Sequence, residues 1–184
     1  VIKMSREKVR QELIHAIDLV DDVINPLLIP NKGIKLAYAI SGARTPADIG
    51  CCFLPQKKQM EDLFDTNVIF DSRCTIVRTI LTALRFSPEI RCACEIRYSE
   101  SLVPVCESML LELCICDEEK IPPGVSTMDW AVAFCSEYEN SVPDVICIKN
   151  KKFRTGYARL FGENPIQVTT NLLKISKRII DATH

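Results

Sequence analysis

The stretch Ile34-Lys35-Leu36-Ala37-Tyr38-Ala39-Ile40-Ser41-Gly42-Ala43-Arg44-Thr45-Pro46-Ala47-Asp48 decides the fold class. Its first half is a short apolar run held between Gly33 and Gly42, which is the length and setting of a strand. Its second half is a small-residue turn leading into a helix start. Thr45 suits the cap, Pro46 suits a first turn where its missing N–H has no intrahelical partner, and Asp48 suits the positive end of the helix dipole. A strand feeding a capped helix through such a turn is an α/β arrangement. Free N–H groups at that helix start, with Arg44 beside them, suit a phosphate.

Upstream, Val9, Leu13, Ala16, Ile17, Val20 and Ile24 recur at helical spacing and predict an amphipathic helix over 5–24 that stops at Asn25-Pro26. Downstream, 55–66 is a polar connection and Asn67-Val68-Ile69-Phe70 a short strand. Ile76, Val77, Ile80, Leu81 and Leu84 then predict a helix from Ser72 to Phe86, with Ser87-Pro88 restarting a helical turn. Strands are expected at 94–98 and 110–116, and 100–109 suits a short helix with Pro104 in its first turn. A hairpin is expected from 145–148 to 156–161 across the basic turn Lys149-Asn150-Lys151-Lys152. Gly124-Val125-Ser126-Thr127-Met128-Asp129-Trp130 repeats the design of loop, hydroxyl cap and acidic first turn, which makes it a second candidate ligand loop. Asn164-Pro165 opens a final helix. No internal repeat or linker interrupts the pattern, so 1–184 reads as one α/β domain.

A chain of 184 residues that is 47% hydrophobic and 26% charged buries a real core and is not disordered. Lys plus Arg (23) nearly cancels Asp plus Glu (24), so bulk charge does not hold nucleic acid. The absence of a long apolar run or a signal-peptide core leads to the expectation of a soluble, cytoplasmic protein without a membrane partner. Val1-Ile2-Lys3 ahead of Met4 reads as the edge of a longer chain from which this domain is excised.

Ten cysteines are many for an intracellular chain. The chain has no Cys-x-x-Cys and only two histidines, His15 and His184, so the expectation is reduced thiols acting as small core hydrophobes, with no metal. Two Cys-x-Cys pairs, Cys92/Cys94 and Cys114/Cys116, would each place both sulfurs on one face of a strand. Walker, Gly-x-Gly-x-x-Gly, Gly-x-Ser-x-Gly and His-Glu-x-x-His signatures are all missing, and so few histidines leave little room for ordinary acid–base pairs. What stands out are guanidinium groups suited to phosphate: Arg44, Arg73, Arg78 and Arg97.

Six blocks in order resemble the archaeal ThiN-type thiamin-phosphate synthase domain. They are Ser41 to Ile49, Val77-Arg78 through Arg91, Ile96-Arg97-Tyr98-Ser99-Glu100, Ser126 to Trp130, Val142-Pro143-Asp144, and Arg159-Leu160-Phe161-Gly162-Glu163-Asn164-Pro165. The resemblance implies a three-layer α/β/α domain with a mixed, mostly antiparallel sheet, similar to the class II aldolase fold. It also implies an attached N-terminal module, either a hydroxymethylpyrimidine phosphate kinase or a DNA-binding module, and leaves room for a homodimer. The family reaction joins hydroxymethylpyrimidine diphosphate to thiazole phosphate and releases diphosphate, with Mg2+ if the domain is catalytic. On this resemblance the small phosphorylated ligand falls to Ser41, Gly42, Arg44, Thr45, Arg78, Arg97, Ser126, Thr127, Met128, Asp129 and Asp144.

The sequence departs from the family where chemistry is expected. Asp71-Ser72-Arg73-Cys74-Thr75-Ile76-Val77-Arg78 stands in place of a Gly-Ala-Ser-Ser-His-Val-Ala-Arg run, so Thr75 occupies the position of the functional histidine. Lys57 is the best substitute for a functional arginine expected after a proline. Thr75 cannot carry a proton as imidazole does, and Lys57 lacks the bidentate fork. The favoured expectation is a ligand sensor of a transcriptional regulator; the alternative is an active synthase domain.

Overall fold

In the computed structural model, residues 2–21, 23–54, 68–125, 127–152 and 155–182 are described. Seven strands, β1 (Ile34–Ala39), β2 (Ile49–Leu54), β3 (Ile69–Phe70), β4 (Cys92–Arg97), β5 (Leu113–Asp117), β6 (Val145–Asn150) and β7 (Thr155–Gly162), form one sheet in the order β3-β2-β1-β4-β7-β6-β5. Every neighbouring pair is antiparallel except β5 with β6. Among the described residues five helices flank the sheet: α1 (Ile2–Val20), α2 (Thr75–Phe86), α3 (Leu102–Ser108), α4 (Thr127–Glu139) and α5 (Pro165–Ala182). No helix among the described residues is long and apolar enough to cross a membrane.

Alternation along β1 divides the core. Leu36 and Tyr38 join Val9, Leu13 and Ile17 of α1 and Val168, Leu172 and Ile175 of α5, whereas Ala37 and Ala39 join Ile76, Val77 and Ile80 of α2 and Val132 and Cys135 of α4. The result is the expected three-layer α/β/α arrangement with a mixed, mostly antiparallel sheet.

Strands covered on both faces lose the polar alternation that reveals half-buried ones. This is why β2 differs from the sequence expectation of a helix after Thr45. Pro46–Asp48 makes a single 3-10 turn, and the chain then enters β2, of which only Phe53 is exposed. Gly50 permits that entry, because a Cβ there would press to 2.9 Å from Val9 and 3.1 Å from Leu13 of α1. The helical turn expected at Ser87-Pro88 is a plain turn instead. Ser87 Oγ is thereby left to accept the Val142 N–H at 3.2 Å and join the end of α2 to the approach to β6. Leu110, at φ 59°, turns the chain out of α3, so β5 begins three residues later than expected.

Seven of the eight free thiols are buried and Cys74 is half-buried. Burial pushes Cys51 and Cys147 up to about 12 and Cys106 to about 11. The expectation of uniformly reduced thiols is corrected at one point: Cys114 of β5 and Cys135 of α4 face each other and form a disulfide.

Candidate functional site

Strand register brings three charges into a row that no local pattern announces. Lys35 lies opposite Glu95, and Glu95 opposite Arg159. Arg159 is 1% exposed, and its Nη2 donates to Glu95 Oε1 at 3.0 Å and to Thr75 Oγ1 at 3.1 Å. Its Nη1 donates to Thr79 Oγ1, whose hydroxyl in turn donates to the Thr75 carbonyl at 2.9 Å. Glu95 also takes Lys35 Nζ at 3.3 Å. Thr75, the first residue of α2, is therefore fastened to a buried guanidinium. Sequence reasoning missed Lys35, Glu95 and Arg159 as site residues; the available signal was a charge inside each of three otherwise apolar strands.

Beyond this row opens a cleft of about 510 Å3 lined by Asn31, Glu95, Arg97, Tyr98, Gly156 and Tyr157, among others. Arg97 Nη2 donates to Asn31 Oδ1 at 2.7 Å. Burial raises the phenols of Tyr98 and Tyr157 above their ordinary value, so both stay neutral donors. Arg97 is the cation that lines this cleft and suits phosphate, Glu95 is balanced by Lys35 and Arg159 behind it, and Tyr98 and Tyr157 contribute aromatic side chains to the lining.

The Ser41-Gly42-Ala43-Arg44-Thr45 turn lies toward the other end of the sheet, where Tyr38 pairs with Cys92 and Cys92 with Gly162. Three of its amides are already taken: the Ala43 N–H goes to the Ile40 carbonyl. Asp48 Oδ2 accepts the Arg44 N–H at 3.0 Å and the Thr45 N–H at 3.2 Å, so a carboxylate already sits where a phosphate was expected. Ser41 instead lines a second cleft of about 730 Å3 with Glu12, His15, Tyr38, Arg91 and Asn164. There burial, followed by a hydrogen bond with Glu12, raises Tyr38 to about 12. The Arg91 guanidinium stacks 4.8 Å over the Tyr38 ring.

The other predicted residues are dispersed. Arg78 pairs with Asp129 at 3.0 Å, and Thr82 reaches the same carboxylate at 3.3 Å, tying α2 to α4. Asp144 holds the Glu112 N–H at 2.9 Å and accepts the Phe161 N–H on its carbonyl, at the Ser41 end of the sheet. Lys57 and Ser126 lie outside the described residues, and Thr127 and Met128 are placed only as the first residues of α4. Of the predicted residues, Arg97 lines this cleft, and Thr75 is linked to its Glu95 through Arg159. Asp71, which stands where the family run has glycine, adopts φ 60°, the left-handed conformation that glycine favours.

The family described as Thiamine-phosphate synthase ThiN matches residues 12–174, nearly the whole chain. The chain belongs to the ThiN family. A curated relative, the Bifunctional thiamine biosynthesis protein ThiDN of Methanocaldococcus jannaschii, is 27% identical to this ThiN domain over 176 residues, covering 95% of it but only 42% of the relative. The C-terminal domain of protein MJ0236 has the same fold at a TM-score of 0.82 and 26% identity, covering 97% of this chain and 98% of that one. The C-terminal domain of phosphomethylpyrimidine kinase follows at 0.78 and 21% identity, with 92% and 99% covered. At the level of fold alone, YgbL of Klebsiella pneumoniae matches at a TM-score of 0.57 and 11% identity, with 96% and 90% covered.

Proposed function

We propose that this ThiN domain binds thiamin phosphate or its two precursors, hydroxymethylpyrimidine diphosphate and thiazole phosphate, in the cleft of Asn31, Arg97 and Tyr157. It reports occupancy to an attached module of a transcriptional regulator rather than turning over. The observation that carries this reading is the state of Thr75. Where the family resemblance places an imidazole, a hydroxyl receives the Arg159 N–H at 3.1 Å, so the row supplies cations and donors but no group that shuttles a proton near neutral pH. Among the described residues the one histidine, His15, lines the other cleft. Glu95, the carboxylate among the described residues lining this cleft, is already held by Lys35 and Arg159, and no step is routed through Mg2+.

One feature favours the second reading, a working synthase. Its reaction needs stabilisation of a leaving diphosphate more than it needs a base, and Arg97 in the cleft is a cation of that kind. The chain's likeness to the C-terminal domain of phosphomethylpyrimidine kinase also fits an attached kinase. Supplying the chain with both precursors and Mg2+ separates the two. The sensor reading expects calorimetric binding without sustained thiamin phosphate production, and continued turnover overturns it.

A further inference from the structure

Cys114 and Cys116 are two residues apart on the edge strand β5, so both sulfurs leave one face of it, and α4 lays Cys135 across them. The three sulfur atoms all lie within 4.8 Å of one another. Cys116 and Cys135 are buried, and Cys114 is half-buried. Cys114 and Cys135 are joined, while Cys116 Sγ stands 3.6 Å from Cys135 Sγ. A bridge that only ties α4 to β5 needs two sulfurs; the third has no part in it.

We propose that the reduced trio Cys114, Cys116 and Cys135 is a binding site for one soft d10 cation, zinc(II) or copper(I), and that the Cys114–Cys135 disulfide is its closed, metal-free form. Soft sulfur donors select such ions over magnesium or calcium. A zinc–sulfur bond of about 2.3 Å allows two sulfurs on one ion to stand at most about 4.6 Å apart; the widest pair of the trio is already close to that limit, and the bonded Cys114 and Cys135 sulfurs move apart once the bridge opens. The surroundings, including Trp130, Val132 and Ile146, are apolar. Opening the site takes two electrons from a dithiol or phosphine. The S–S bond breaks and each sulfur takes up a proton; a dithiol supplies both protons and leaves as disulfide, whereas with a phosphine one water supplies both protons and the oxygen of the phosphine oxide. Metal binding then releases protons from the thiols to solvent.

The test uses the full chain, reduced with a phosphine under argon and desalted. It is titrated with cadmium(II) as a spectroscopic probe, then with zinc(II) and copper(I) against chromophoric chelators. Expected are one ion per chain, sulfur-to-cadmium charge-transfer absorption, and protection of Cys114, Cys116 and Cys135 from iodoacetamide in peptide maps. Cys116→Ser leaves the disulfide pair in place and should weaken uptake more than about tenfold. Cys52→Ala, on the opposite face of the sheet, should not alter it, and oxidation with glutathione disulfide should abolish it. No uptake by the folded, reduced chain, or uptake indifferent to both Cys116→Ser and Cys135→Ser, overturns the proposal. Circular dichroism checks each variant. Should one fail to fold, the alkylation map of the unmodified chain decides.

Discussion

Replacing Glu95 by glutamine should destabilise the domain more than replacing Arg159 by methionine, although each change removes one side of the same ion pair. The difference follows from who is left behind. Arg159 is 1% exposed and Glu95 12%. After Glu95→Gln the buried guanidinium keeps two threonine hydroxyls but loses its counter-charge, with Lys35 as a like charge nearby. An orphaned buried charge of this kind costs about 3 to 5 kcal/mol. After Arg159→Met, Glu95 still holds Lys35 at 3.3 Å beside the open cleft, and Thr79 already donates to the Thr75 carbonyl. Methionine fills most of the space, so the loss is about 1 to 2 kcal/mol. Urea unfolding at constant m reads both values. The double variant should be more stable than Glu95→Gln alone, because the orphan cation has gone. If Arg159→Met proves as damaging as Glu95→Gln, or the double variant is the worst of the three, the row Lys35–Glu95–Arg159 does not work as described.

Three further outcomes are expected. Cys51 and Cys147 are raised from 9.0 to about 12 by burial, so the unfolded chain gives up these protons from about pH 9 while the folded chain keeps them. Their contribution is whole below about pH 9 and falls by about 1.4 kcal/mol per pH unit per thiol up to about pH 12; urea midpoints taken from about pH 8 to about pH 10 should drop, and Cys51→Ala should flatten the slope. Asp71→Gly, at φ 60°, should raise stability by about 0.5 to 1 kcal/mol, and a lower melting temperature would show that the Asp71 side chain contributes more than its backbone strain removes. Cys74, the half-buried free thiol next to Thr75, should be alkylated faster than the buried free thiols and slowed by thiamin phosphate; labelling indifferent to saturating ligand would place the ligand away from the α2 start.

The strand at 34–39 was legible because Gly33 and Gly42 bracket it, and α2 and α5 because their apolar stripes keep helical spacing. β2 was not, since helices cover both faces and Ile49-Gly50-Cys51-Cys52 shows no alternation. The turn after β1 holds a contact that the sequence reading did not foresee. Asp48 does interact with the start of its turn, but by occupying the Arg44 and Thr45 amides it takes the place assigned to a phosphate. Arg97 was legible as a cation in a strand. Its grouping with Asn31, Tyr157 and Arg159 was not, because it depends on pairing between strands far apart in sequence. Cys114 and Cys116 announced a shared face; Cys135 joined them only through the packing of α4 on β5.

Calorimetric titration of thiamin phosphate into the unmodified chain, Arg97→Ala and Arg44→Ala tests the central claim most directly, because it asks whether the cleft binds the ligand and which end of the sheet holds the phosphate. The account predicts saturable binding that Arg97→Ala weakens by about 1.5 to 3 kcal/mol, the range for a hydrogen bond to a charged group, and that Arg44→Ala leaves nearly unchanged. Absence of binding, or loss with Arg44→Ala but not with Arg97→Ala, would contradict it.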